Sequence, residues 1–343
     1  MNPDFTPEKT HHRTDGFVNR YLPRSHKKGV FKWICNRVWN RLPKPPSEPI
    51  QGIEPNLELI HRKILEPRAT WIGHSTVLFQ IDGVNIFTDP HFGKRASPIG
   101  FLGPKRHQEP GIPFDQLPPI HVVLLSHNHW DHLDQDSVQM LIDHHQNISF
   151  FVPLGVQYWF KKYIKGAIIE GSQANVIALD WDQFYTIKGK NHSIDLYFLA
   201  VQHWSARYVK DRYQTLWGSW AVIHPHYRFW FSGDLAYSKD VQDIAQKMGQ
   251  FDLAAIAIGA YEPRWFMKES HINPTEALKV MLDIGAKKAI AIHWGTFEGL
   301  SDEPLDQPAK DLQTALEKYA QQFKRSHPDF KVLRHGETVI STF

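Results

Sequence analysis

Apolar residues in this chain come in short runs from residue 69 onward, and their rhythm separates strands from helices. Runs of four to eight apolar, β-branched or aromatic residues predict strands at 69–72, 77–81, 84–88, 121–125, 148–152, 194–201, 220–223, 228–231, 253–258 and 289–292. Asp82-Gly83, between the second and third of these, predicts a tight hairpin. A 3.6-residue period predicts helices at 136–146, 239–248 and about 308–323. Another opens at Asn273-Pro274-Thr275-Glu276, with Asn as N-cap, Pro in the first turn and Glu three positions on, and stops at Gly285. A strand meander followed by strand–helix alternation predicts a layered α/β body with no visible internal repeat.

Before residue 68 the pattern changes. Residues 1–67 are rich in Pro, His and basic side chains and read as an N-terminal extension with a short helix over 30–42, ahead of a catalytic domain over 68–343. Charge sharpens the division, because residues 1–47 carry ten Lys/Arg against three acids while the remainder is net −4. A body of that sign argues against a nucleic-acid partner. From residue 16 to 47 there is no acid, and Arg20, Arg24, Lys27, Lys28, Lys32, Arg37, Arg41 and Lys44 supply the positive charge. Phe31, Ile34, Cys35, Val38 and Leu42 fall on one helical face, with Trp33 and Trp39 flanking. Such a helix suits an anionic membrane surface, and equally the negative surface of its own body.

No apolar run approaches a membrane span, and the first thirty residues lack the apolar core of a secretory signal. The single cysteine, Cys35, excludes an intramolecular disulfide framework and an all-thiolate metal site. The expected setting is cytoplasmic, with peripheral membrane association.

The chemistry concentrates in one stretch, where the apolar strand at 121–125 runs into Ser126-His127-Asn128-His129-Trp130-Asp131-His132. On a loop at a strand end, His127 and His129 can share one divalent ion, and Asp131 and His132 can hold a second. Imidazole and carboxylate suit Zn, Mn or Fe in a hydrolytic site. His203, Asp234 and His293 each follow an apolar run, where strand C-termini converge in α/β proteins. His61, His144, His145, His192, His224 and His226 read as surface or hydrogen-bonded residues.

His-x-His-x-Asp-His with those three downstream residues resembles the metallo-β-lactamase superfamily. Trp71-Ile72-Gly73-His74, Thr88-Asp89-Pro90, Gln202-His203-Trp204, the run from Phe251 to Met267 and His293-Trp294-Gly295 narrow the resemblance to N-acyl-phosphatidylethanolamine-hydrolysing phospholipases D. The resemblance implies a four-layer αβ/βα sandwich with two zinc ions (Mn or Fe as alternatives). One ion would sit on His127, His129 and His203, the other on Asp131, His132 and His293, with Asp234 bridging. It implies hydrolysis of a phospholipid substrate to N-acylethanolamine and phosphatidic acid through a hydroxide shared by the ions. Asp131 and His271 are its catalytic candidates. His271 is also placed on the substrate phosphate. By residue type, Trp204, Trp265, Phe266, Trp294 and Phe101 suit acyl chains near the ions, and equally core packing. Asp89 and His74 would support the metal loop. Partners are then the phospholipid, an anionic membrane and, as an open option, a second copy in a homodimer. A metal-dependent phosphodiesterase acting on a soluble or nucleic-acid substrate is the alternative reading.

Overall fold

A computed structural model describes the chain except residues 1, 23–28, 41, 47–49, 51, 64, 209 and 343 and the side chains of Val30, Phe31, Ile34, Val38 and Asn40. Fourteen strands form two seven-stranded sheets. The first holds Arg68–Gly73 (β1), Thr76–Ile81 (β2), Val84–Thr88 (β3), Val122–Leu124 (β4), Ser149–Pro153 (β5) and Val176–Leu179 (β6). The second holds Phe184–Lys188 (β7), Ser193–Leu199 (β8), Ser219–His224 (β9), Tyr227–Phe231 (β10), Leu253–Ala257 (β11), Lys288–Ile292 (β12) and Asp329–Lys331 (β13). Thr338–Ile340 (β14) then returns to the first sheet and pairs antiparallel with β1.

Each sheet is an antiparallel meander continued by parallel strands, with the switch at β3–β4 in one and β10–β11 in the other. The two halves therefore repeat one topology, although the sequence shows no repeat. The period-2 alternation sorts side chains between two cores. From β2, Val77, Phe79 and Ile81 face the second sheet, while Leu78 faces the outer layer with Ile72, Phe87 and Val123. Phe79 stacks on Phe229 at 4.2 Å, which joins the sheets face to face. Helices Gln135–His144 and Val156–Tyr163 cover the outer core, and Asp240–Met248, Pro274–Asp283 and Gln307–Phe323 form the layer beyond the second sheet. With both faces covered, strands read as continuous apolar runs. The expected αβ/βα sandwich is what forms.

Local signals match. Asp82 and Gly83 take φ +46° and +78° in the β2–β3 turn, as a two-residue hairpin requires. Asn273 and Glu276 close a reciprocal capping box.

The N-terminal segment lies against the body. Phe17 is fully buried in the inter-sheet core, and its N–H donates to the Tyr213 carbonyl at 2.8 Å. Asp180, from the β6–β7 connection, gathers His11 Nε2 at 2.7 Å, His12 Nε2 at 2.9 Å and the Lys9 ammonium. In helix Val30–Asn40, Trp33 stacks on Phe266 at 4.9 Å and Arg37 Nε lies 3.4 Å from Asp302. Cys35 and Trp39 point outward. Of the basic residues noted above, Arg24, Lys27, Lys28 and Arg41 lie outside the described residues.

Burial pulls the Asp180 carboxyl upward, but His11 and Lys9 outweigh it and hold the group below the usual carboxylate range. A depressed folded-state pKa contributes stability above the unfolded value of about 4 and loses it as pH falls further. Asp180→Asn should therefore cost about 2 kcal/mol at neutral pH. In urea unfolding, its gap from the wild type should narrow below pH ~4.

Candidate metal centre

The sandwich brings its strand ends together at one edge. The loop after β4 carries His127, His129, Asp131 and His132, and the chain beyond β8, β10 and β12 carries His203, Asp234 and His293. Apart from part-exposed His129, these side chains are buried. Their ligand atoms fall into two groups of four, His127–His129–His203–Asp234 and His74–Asp131–His132–His293. The sequence-derived sets are thus assembled, with His74 added to the second.

Distances show how the groups join. His203 Nε2 lies 3.3 Å from His129 Nδ1, close to the roughly 3.3 Å between nitrogens sharing a tetrahedral ion. Asp234 Oδ2 is 3.8 Å from His127 Nε2 and 3.7 Å from His203 Nε2, yet 3.2 Å from His132 Nε2. Its Oδ1 is 3.2 Å from His293 Nε2. One carboxylate therefore faces both groups, the position required of a bridge.

The surrounding hydrogen bonds fix which nitrogen is available. Asp89, fully buried, accepts from the Ser126 N–H (2.7 Å), from Ser126 Oγ (2.5 Å) and from His132 Nδ1 (2.6 Å). Ser126 Oγ, its own proton spent on Asp89, accepts from His127 Nδ1 at 2.9 Å. His203 Nδ1 donates to the Ser270 carbonyl at 2.8 Å. In the neutral form of all three rings Nε2 is left as the lone pair facing the centre, the arrangement of a ligating histidine. The buried cluster His11–His12–Asp180 differs, because His12 Nδ1 accepts from the Thr6 N–H and its Nε2 must donate to Asp180. In the Asp82–His192–His224 cluster, His224 Nδ1 likewise accepts from the His226 N–H. Tautomer separates the candidate centre from both.

Electrostatics agree. Burial lowers the pKa of His127 and His129, assisted by neighbouring rings, and keeps them neutral. Burial also opposes charge on His132 and His293, but Asp234 and Asp131 overcome it, raising His132 well above the usual value and His293 to about 9. Both carboxylates lie well below the ordinary range despite burial. His129 Nε2, His132 Nε2, His293 Nε2 and Asp234 Oδ1 are buried without a hydrogen-bond partner. Two buried anions that draw positive charge onto His132 and His293, with the Nε2 atoms of those rings and Asp234 Oδ1 lacking a hydrogen-bond partner, fit a pair of divalent cations.

The backbone here is forced. His74, Asp89 and His293 take φ +50°, +32° and +62°, values that non-glycine residues adopt at a cost. The His293 N–H donates to the His74 carbonyl at 2.9 Å, tying two of them together. At Gly233 a Cβ would come within 2.6 Å of Ser126 Cβ, so only glycine lets the Asp234 loop approach the His127 loop.

Three supports were not legible in the sequence. Arg207 Nη1 donates to the carbonyls of Asn128 (3.1 Å) and Leu133 (2.7 Å), bracing both ends of the His-x-His-x-Asp-His loop. Its guanidinium lies 3.7 Å from the Trp130 ring centroid. Ser270 orients His203, and Asn19 reaches it from the N-terminal segment.

A cavity of about 840 Å³ opens onto His129, Asp131, Asp234, His271 and His293, with walls that include Trp33, Trp130, Trp204, Phe266 and Met267. Trp204 and His271 are thus where substrate contacts were expected. Trp265 and Phe101 are 52% and 83% exposed and outside this lining. Consecutive residues of a helical turn point about 100° apart, so Phe266 takes the inward direction and Trp265 the outward one. Only Pro98 of the 97–103 turn reaches the cavity, which leaves Phe101 at the surface.

Residues 84–294 match the model of the β-lactamase superfamily domain. N-acyl-phosphatidylethanolamine-hydrolyzing phospholipase D 1 of Caenorhabditis elegans is 41% identical over 250 residues, spanning 73% of this chain and 69% of its own. The chain belongs to this phospholipase D family of the β-lactamase superfamily. The mitochondrial N-acyl-phosphatidylethanolamine-hydrolyzing phospholipase D of Saccharomyces cerevisiae is 32% identical over 251 residues, covering 72% of this chain and 51% of its own. Two solved structures share the fold. Igni18, a metallo hydrolase of Ignicoccus hospitalis, has a TM-score of 0.56 at 16% identity over 81% of this chain and 99% of its own. The isothiocyanate hydrolase from Delia radicum gut bacteria has a TM-score of 0.58 at 17% identity, over 80% of this chain and 100% of its own. Family and fold make the protein a metal-dependent hydrolase.

Asp89→Asn would set an NH₂ group either against the Ser126 N–H or against Ser126 Oγ and His132 Nδ1, where the carboxylate accepts from all three. We expect metal affinity to fall by roughly 10–100-fold while the fold persists, measured by competition with a chromophoric chelator.

Proposed function

We propose that the protein is a zinc-dependent phosphodiesterase that cleaves N-acyl-phosphatidylethanolamine-like lipids on the ethanolamine side of phosphorus. The products are an N-acylethanolamine and phosphatidic acid. The observation that carries this reading is the roughly 840 Å³ cavity, walled by tryptophan, phenylalanine and methionine, that ends on the candidate ligands. Its size and apolar walls fit acyl chains, and its polar floor fits a phosphodiester. The activity for which the Caenorhabditis elegans and Saccharomyces cerevisiae relatives are named points the same way. Zinc suits a set of imidazoles and carboxylates without thiolate, with Mn or Fe as alternatives.

His127, His129 and His203 would hold one ion and Asp131, His132 and His293 another, with Asp234 open to either. Such ions would supply Lewis acidity to phosphoryl oxygens and lower the pKa of water. The chain's residues do the rest. Trp204, Phe266 and Met267 hold acyl chains and exclude water. His271 faces the cavity, with a 13% exposed side chain and Nδ1 3.8 Å from Asp234 Oδ2. From there it can place a proton on the departing ethanolamine oxygen. As the P–O bond to ethanolamine breaks, one to the attacking water oxygen forms. The leaving oxygen takes a proton from His271. The attacking water gives up one proton, which restores His271 through solvent, and keeps the other on phosphatidic acid. Asp131, whose Oδ2 is held by His74 Nε2 at 3.0 Å, keeps its negative charge beside the reacting centre.

We further propose that the cavity mouth meets an anionic membrane. Trp39, Phe101, Leu102 and Trp265 are 90%, 83%, 59% and 52% exposed. Each lies close in the chain to a cavity-lining residue: Trp33, Pro98 or Phe266. Lys32, beside Trp265, adds positive charge.

A substrate panel tests the reading. Protein loaded with zinc should hydrolyse N-acyl-phosphatidylethanolamine in anionic vesicles far faster than a diribonucleotide or a soluble phosphodiester, and lose the activity to a chelator. Preference for the dinucleotide would overturn the lipid assignment. His271→Ala should retain metal while kcat falls about 10²–10⁴-fold; shed metal would instead place His271 among the ligands. Vesicle sedimentation should show binding at low salt and release at high salt, and no binding under either condition would remove the membrane contact.

A further inference from the structure

We propose that Asn19 is a positioning residue for His203, which makes the segment ahead of the family domain a working part of the metal centre. The inference rests on reading His203 as a metal ligand. Asn19 lies well before residues 84–294, the stretch that matches the superfamily model.

His203 sits in the loop beyond β8, outside both sheets, so its backbone N–H and C=O are not part of a sheet ladder. Asn19 pairs with them instead. The His203 N–H donates to Asn19 Oδ1 at 3.0 Å, and Asn19 Nδ2 donates to the His203 carbonyl at 2.9 Å. A carboxamide thus copies the two-way pairing of a peptide group in a sheet. Its orientation is fixed by chemistry. Oδ1 also accepts from Trp217 Nε1 at 3.2 Å, so a flipped amide would set NH₂ against two donors and oxygen against a carbonyl.

The geometry carries this hold to the ligand atom. With the His203 backbone clamped by Asn19 and its Nδ1 engaged by Ser270, Nε2 is aimed at His129 Nδ1 and Asp234. Asn19 is in turn seated by fully buried Phe17, two residues earlier, and by Trp217, which also donates to the Val201 carbonyl at 3.0 Å. Only a side chain with one donor and one acceptor at this length serves. Leu would fill the space and lose every bond. Asp would keep the two acceptor contacts and press an anionic oxygen against the His203 carbonyl.

The experiment compares the full-length wild type with Asn19→Leu, Asn19→Asp and the control Phe17→Leu. The control loosens the same segment without touching His203. Bound zinc per chain is measured across a chelator series, alongside thermal melts and kcat and KM on the lipid substrate. We expect the wild type to hold two ions, and Asn19→Leu to release one of them about 10–100-fold more readily. Its kcat should fall with KM little changed, because the cavity walls are untouched. Asn19→Asp should lie between, and Phe17→Leu should melt earlier while keeping both ions. Wild-type metal affinity in Asn19→Leu overturns the proposal, as does an equal loss of metal from Phe17→Leu at a matched melting temperature. Should Asn19→Leu fail to fold, Asn19→Asp decides, and wild-type affinity there overturns it. A wild type that binds no metal sinks the reading of the centre itself, a separate outcome.

Discussion

Two carboxylates, Asp131 and Asp234, are buried at the cavity floor where water solvates them poorly, and most of what surrounds them answers that constraint. An unpaired buried anion is too costly to keep, so positive or polarisable partners must converge on it. Among the described residues, seven histidines within hydrogen-bonding or ion-pair range of the two carboxylates or of each other do so. Their rings would compete for tautomers and orientations without an outer ring of fixed acceptors. Asp89, Ser126 and the Ser270 carbonyl supply it. The positive φ at His74, Asp89 and His293 shows the backbone bent to meet this demand.

The sandwich explains how so many distant residues reach one edge. Strands β10, β11 and β12 run parallel, so the chain leaves each at the same end of the sheet. The first sheet delivers β4 and its loop to that end from the opposite layer. Phe79 on Phe229 fixes the distance between the layers, and Gly233 permits the closest approach across it. Ligands from both halves can then share Asp234.

Legibility in the sequence followed burial. Strands covered on both faces, such as β1, β2, β11 and β12, have continuous apolar runs and are found to within a residue or two. β7 escapes because it lies at a sheet edge with its residues largely exposed, and its pattern is that of a loop. β13 and β14 are three residues each, too short for any period to show. The candidate ligands were legible because their chemistry is dense and each follows a strand. Arg207 and Asn19 were not, because each acts through main-chain carbonyls or N–H groups that carry no mark in the sequence. Trp265 and Phe101 show the limit of composition, which gives a residue's type without its direction.

The return of β14 to the edge of β1 sets an order of events for the growing chain. Thr70 and Thr338 share a hydrogen bond across the first sheet, yet everything between them, including the whole second sheet, is synthesised in the interval. Through that time the outer edge of β1 presents unpaired peptide groups beside an apolar strand, the kind of surface that recruits strands from other molecules. The first half can gather its helices early, but it is sealed last. Protection of the nascent chain is therefore most needed at β1, the strand that leads directly to His74.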